Sequence, residues 1–204
     1  PQTLVLFLIS GGGSALLEKP LFDDISLEDL AAFNRVLVTC GANIYEMNVL
    51  RKHFSAVKGG RLALAAYPAR QVTVYVSDVP LHQPSTVASG PTMPDESRVA
   101  ECLEVARRYS LAASVPPPYR WRLESGEIPE TPKPGDPQFV HSRYYPVLSN
   151  ADGVKALVRL AEARGWRAQV DLSCDDWPLE KAAEYLLDKL RALRQQAGGP
   201  VCLV

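Results

Sequence analysis

Three glycines flanked by serines, Ser10-Gly11-Gly12-Gly13-Ser14, follow a run of six apolar residues from Leu4 to Ile9. Glycine lets the backbone approach an anion closely and reach positive φ. Successive N–H groups at such a loop, ahead of a helix, form a phosphate cradle. The spacing is neither GxGxxG nor GxxxxGKS/T, so it matches neither a dinucleotide fingerprint nor a Walker A loop. The plain alternative is a flexible turn with no ligand. A second cluster, Arg51, Lys52, Lys58 and Arg61, surrounds Gly59-Gly60. Arg and Lys near mobile backbone neutralise phosphoryl oxygens, or they form a solvated basic helix end. Ser77-Asp78 ends a strand-like stretch and precedes Ser89-Gly90-Pro91-Thr92 and Asp95. A carboxylate there can bind Mg²⁺ or accept a hydroxyl proton in phosphoryl transfer, or Asp78 caps a turn and Asp95 a helix. Ser149-Asn150-Ala151-Asp152-Gly153 marks a further strand end, where Asn150 contacts a ligand or caps a helix. His53, His82 and His141 show no metal-binding spacing, and there is no GxSxG elbow.

The elements that must carry these loops follow from periodicity. Leu4–Ile9 suits a parallel strand covered on both faces. Ser26 with Asp29 forms a capping box for a helix to about Cys40, with Gly41 as its stop signal. Residues 43–54 read as a second helix, and Gly59-Gly60 opens a short third one. Val72–Val76 is a strand. Val99, Cys102, Leu103, Ala106 and Tyr109 share one helical face. Eight of the chain's 17 prolines fall between Pro116 and Pro146, so residues 114–146 read as an extended Pro-rich connection or surface excursion, with a short helix near Tyr119–Ser125. Beyond it come a strand at 144–148, a helix through Val154–Ala161, a strand at 167–172, a helix after Pro178 and a terminal strand. The alternation predicts an α/β fold over residues 1–204, a single Rossmann-like three-layer α/β/α domain with a mostly parallel sheet.

Composition narrows the class. The chain has 204 residues, 47% of them hydrophobic and 22% charged, with a formal net charge of −1. Neither nucleic acid nor an anionic membrane surface is expected as a partner, and no apolar stretch is long enough for a membrane helix. Cys40, Cys102, Cys174 and Cys202 form no CxxC pair and read as reduced thiols of a cytoplasmic protein.

Together these segments resemble the glycerate 2-kinase family, whose members carry a C-terminal MOFRL domain and some of which bear the label hydroxypyruvate reductase. The resemblance rests on Leu8–Leu17, Gly41–Ser55, Lys58–Ala63, Ser77-Asp78-Val79, and Ala88-Ser89-Gly90-Pro91-Thr92 with Asp95, in order. It implies ATP-dependent transfer of a phosphoryl group to the 2-hydroxyl of D-glycerate, with Mg²⁺. It also implies that this chain is the central part of the family's N-terminal domain, one wall of a cleft. The upstream Gly-Lys motif and the downstream MOFRL domain are missing, so Pro1 and Val204 read as cut edges. Leu81-His82 stands where many members have Gly-Asp.

On that reading the Ser10–Ser14 loop cradles phosphates or the glycerate carboxylate. Arg51, Lys52 and Lys58 neutralise charge, ordered by Glu46 and Asn48. Asp78 is the Mg²⁺ or hydroxyl partner. Ser89, Gly90 and Thr92 form a second anion loop, and Asn150 is a further contact. A homodimer is left open. The alternatives are an NAD(P)-dependent hydroxypyruvate reductase, which requires an absent GxGxxG fingerprint, and a catalytically incomplete nucleotide-binding fragment.

Overall fold

The computed structural model describes residues 2–77, 84–174 and 177–204. Asp78, Leu81 and His82 therefore lie outside the described residues. The chain groups into two compact units, Pro1–Val147 and Leu148–Val204. The architecture is α/β with parallel strand pairs and helices, as the alternation predicts.

In the first unit, β1 (Leu4–Ile9) and β2 (Arg70–Ser77) pair in parallel, from Leu4 opposite Arg70 to Ile9 opposite Tyr75. The third strand, β3 (Ser142–Ser149), flanks β2 on its other side and runs to the boundary between the units. The β1–β2 crossover carries α1 (Gly13–Leu16), α2 (Leu27–Thr39), α3 (Ile44–His53) and α4 (Arg61–Ala66). One face of β2 buries Gln71, Thr73, Tyr75 and Ser77. The opposite face is open along β1, where Leu4, Leu6 and Leu8 are 62%, 56% and 74% exposed. The expected cover on both faces of β1 is thus absent among the described residues. A continuous apolar run reports that a strand can be covered, not what covers it.

The helices start where local chemistry dictates. Ser26 and Asp29 form the expected capping box on α2. Asn43 and Glu46 form another on α3, which the sequence reading did not anticipate. Then come α5 (Val99–Arg108) and α6 (Pro117–Ser125). Helices α2, α3, α5 and α6 share one core, in which the Phe33 and Tyr119 rings stack 4.0 Å apart and Phe54 packs against both. This core fixes α3, and with it the basic residues at its C-terminal end. The Pro-rich segment belongs to the packed body rather than to a surface excursion: Val115, Tyr119, Ile128, Thr131 and Gln138 are all buried. Its prolines shape a chain that closes over α3 and α4. A smaller cluster of Tyr75, Val87, Ala88 and Met93, with Ile9 and Tyr144 against it, lies toward the C-terminal ends of β1 and β2.

In the second unit, α7 (Asn150–Ala163) and α8 (Leu179–Gln196) accompany β4 (Arg167–Gln169) and β5 (Val201–Leu203), which pair in parallel. Asp171 is the hub of this unit's polar contacts, accepting from Lys189, Ser173 and Tyr185. Those donors, Lys189 foremost, hold its carboxyl well below the usual carboxylate range. No helix among the described residues is long and apolar enough to cross a membrane.

Candidate functional site

The glycine loop leaves β1 at Ser10 and enters α1 at Gly13, closed by the Gly13 N–H donating to the Ser10 carbonyl at 3.0 Å. The N–H groups of Gly11 and Gly12 have no partner among the described residues, and Gly12 is exposed. Backbone amides at such a strand end are the groups an anion cradle uses. The reason for glycine differs from the expected one. Gly12 has φ −64, so no left-handed backbone is required there. At Gly13 the requirement is room: an added Cβ would lie 3.3 Å from the Ala88 Cβ.

Ala88 belongs to an unusual arch. Ala88, Ser89 and Gly90 have φ of 51, 62 and 60, three successive left-handed residues of which two are not glycine. Each non-glycine residue there costs about 1–2 kcal/mol, so the surroundings must impose the conformation. They do. The N–H groups of Gly59, Gly60 and Leu62 donate to the carbonyls of Ser89, Gly90 and Pro91 at 3.0, 2.7 and 3.0 Å. A Cβ at Gly90 would meet the Ser85 carbonyl oxygen at 2.4 Å, and one at Gly60 the Met93 oxygen at 2.9 Å. The Ser89 hydroxyl, 1% exposed, donates to Asn48 Oδ1 at 3.1 Å and lies 2.7 Å from the Ser14 hydroxyl.

The cations divide by burial. Arg51 donates from Nη2 to the Ser14 carbonyl at 3.0 Å and so clamps the glycine loop to α3. Its Nε is buried without a partner among the described residues. Burial pulls the Arg51 pKa down, with Glu18 opposing. Lys58 is buried against Glu18 Oε2 at 2.5 Å and the Leu17 carbonyl at 2.9 Å. Burial lowers its pKa against the pull of Glu18. Lys52 meets Asp95 at 3.1 Å, and they are 7% and 2% exposed. Asp95 also accepts from the Ser97 N–H, the Ser97 hydroxyl and the Thr131 hydroxyl. Burial pushes its carboxyl up, but the Lys52 charge and these donors outweigh it and hold it below the usual range.

The structure therefore brings together Ser10 to Ser14, Arg51, Lys58, Asn48 and Ser89, but in mixed roles. Arg51 holds the loop through the Ser14 carbonyl. Lys52, Lys58, Ser89 and Thr92 are supports, with Thr92 buried and bonded through its hydroxyl to Thr73 at 2.8 Å. Glu46 does not order the cations of its own helix. It caps α3 and ties it to Arg108 and Tyr109, whose hydroxyl, with the Asn43 N–H, holds its pKa down. Asp95 caps no helix, since α5 starts at Val99 with Arg98 as its cap. Asn150 opens α7 in the second unit, where the cap is Ser149. Sequence reasoning missed Glu18, Ala88 and Thr131. Nothing in their types or spacing announces them, because their roles come from partners more than 35 positions away.

A cavity of about 230 Å³ opens beside the loop, lined by Ser10, Gly13, Lys58, Leu62, Ala88 and Pro91 among others. A second of about 400 Å³ is lined by Tyr45, Lys52, Thr86, Asp95 and Tyr144 among others. Among the described residues no group of three or more His, Cys, Asp or Glu side chains is placed to hold a metal ion.

Several known proteins are similar to this chain. A protein of Agrobacterium vitis named "Putative hydroxypyruvate reductase" is 47% identical over 136 residues, 67% of this chain and 30% of its own. The human glycerate kinase is 38% identical over 171 residues, 82% of this chain and 31% of its own. The crystal structure of a glycerate kinase from Thermotoga maritima superimposes with a TM-score of 0.66 at 33% identity, covering 82% of this chain and 38% of that one. The chain spans well under half the length of each. Residues 1–124, which hold the glycine loop, the basic turn and the left-handed arch, match the family described as a domain of unknown function, DUF4147, and the chain belongs to that family.

Proposed function

We propose that the protein carrying this chain is a glycerate 2-kinase, with this chain supplying one wall of the active-site cleft. The observation that carries the reading is the glycine loop at the end of β1, held to α3 by the Arg51 bond to the Ser14 carbonyl, inside the family-matched segment. Phosphoryl transfer needs positioning and charge neutralisation more than covalent help from the protein, and these groups supply that. In the reaction the glycerate 2-hydroxyl oxygen bonds to the γ-phosphorus of ATP, the bond to the ADP oxygen breaks, and the hydroxyl proton leaves to a base. Asp78 is the sequence candidate for that base and for Mg²⁺. It lies outside the described residues.

The names of the relatives divide between kinase and reductase. The kinase reading is favoured because the sequence has no GxGxxG with an acidic partner about 20 residues on. Coupled ADP release by the whole protein with ATP, Mg²⁺ and D-glycerate tests it, and glycerate-dependent ADP is the expected result. Hydroxypyruvate-dependent NADH oxidation without glycerate-dependent ADP would replace it with the reductase. The 204-residue chain by itself is expected to turn over neither substrate pair.

A further inference from the structure

We propose that Ala88 is a positioning residue that sets the glycine loop for anion binding through its contact with Gly13. The inference rests on the phosphate reading of that loop. Left-handed positions normally take glycine, and this chain uses glycine at 59, 60 and 90. At 88, with φ 51 and ψ 24, it keeps an alanine that is 7% exposed. Its side chain packs in the cluster with Tyr75, Val87 and Met93 and also stands against Gly13.

Two contacts state what it does. Ala88 Cβ stands 3.3 Å from where a Cβ on Gly13 would lie, so it is a backstop for the turn between β1 and α1. The next residue, Ser89, meets the next loop residue, Ser14, at 2.7 Å through their hydroxyls. Consecutive residues of the arch thus hold consecutive residues of the loop. The arch is itself immobilised by the donors from Gly59, Gly60 and Leu62. A strained element that the surroundings over-determine is a suitable template, because it cannot relax towards the loop it supports. Gly11 and Gly12 lie immediately before the braced residues.

The test is Ala88→Gly in the whole protein, with Ala88→Ser as the variant that keeps the Cβ. Glycine relieves the backbone, so the expected melting temperature is equal to or above wild type. Calorimetric affinity for ATP and for inorganic phosphate is expected to fall about tenfold, with KM for ATP rising in parallel. Ala88→Ser is expected to restore affinity to within about threefold of wild type. Wild-type affinity in Ala88→Gly overturns the proposal. So does a melting temperature that falls together with affinity, which would make Ala88 a packing residue only. Equal defects in both variants overturn it as well, because the Cβ would then not be the cause. If wild type phosphorylates no glycerate, the kinase reading fails, while phosphate affinity in the two variants still decides this proposal.

Discussion

Replacing Lys52 with methionine separates a structural lysine from a chemical one. Lys52 and Asp95 are 7% and 2% exposed and meet at 3.1 Å. Removing one partner of a buried pair leaves a desolvated charge, at about 3–5 kcal/mol. Three donors remain on Asp95, from the Ser97 N–H, the Ser97 hydroxyl and the Thr131 hydroxyl, so we take the lower end, about 3 kcal/mol. With a urea dependence of about 2 kcal/mol/M, the unfolding midpoint should fall by about 1.5 M. Asp95→Asn in the Lys52→Met background removes the stranded charge and should recover part of the loss, with a coupling above about 1.5 kcal/mol in the double-mutant cycle. Urea unfolding of the whole protein, followed by tryptophan fluorescence, reads all four species. A midpoint within about 0.3 M of wild type, together with abolished turnover, would refute the reasoning and return Lys52 to the chemistry.

Acid should loosen the same region. His53 is fully buried, donates from Nδ1 to the Val49 carbonyl at 2.8 Å, and has its pKa lowered by burial against that bond and the nearby Asp95. Its unfolded value is 6.5 and its folded value is lower, so the unfolded chain takes up the proton first and stability falls as pH drops below about 6.5. Asp95, also lowered from its model-compound value of 3.8, adds stability that is present above that pH and is lost as pH falls through its folded value. Urea midpoints should therefore stay nearly constant above about pH 7 and decline from about pH 6.5 to pH 5, and a flat profile over the lower range would contradict this account. Neighbouring glycines should differ in tolerance. Gly12→Ala meets nothing within 4 Å at φ −64 and should leave the melting temperature within about 2 °C. Gly13→Ala meets Ala88 at 3.3 Å and should lower it by about 4 °C or more, as differential scanning calorimetry would read.

Sequence pattern located the elements well where their signals are local. The Ser26–Asp29 box, the α5 stripe and the strand runs all depend on neighbours within a few positions. It found the glycine loop and the basic turn by residue type. It did not reveal which cations are free, because that depends on distant partners: Glu18 lies 40 positions from Lys58, and Asp95 43 from Lys52. Asn43 had the type of a cap and Glu46 the spacing, yet the glutamate was read as an organiser of charge. Ala88 could not be found by type at all, since its role lies in a backbone angle and a missing neighbour's volume. The fold of the Pro-rich stretch was obscured by a composition that normally marks exposed chain, although Tyr119 and Thr131 anchor it inside.

The three backbone bonds from residues 59–62 to residues 89–91 join two turns that are remote in sequence. Neither turn can then be lengthened or shortened alone, because a one-residue insertion would throw every pairing out of step. The amides of Gly59, Gly60 and Leu62 should exchange with solvent as slowly as strand amides, although they lie in a turn and at a helix start. In an evolving or engineered chain these two segments would have to be transplanted as a pair.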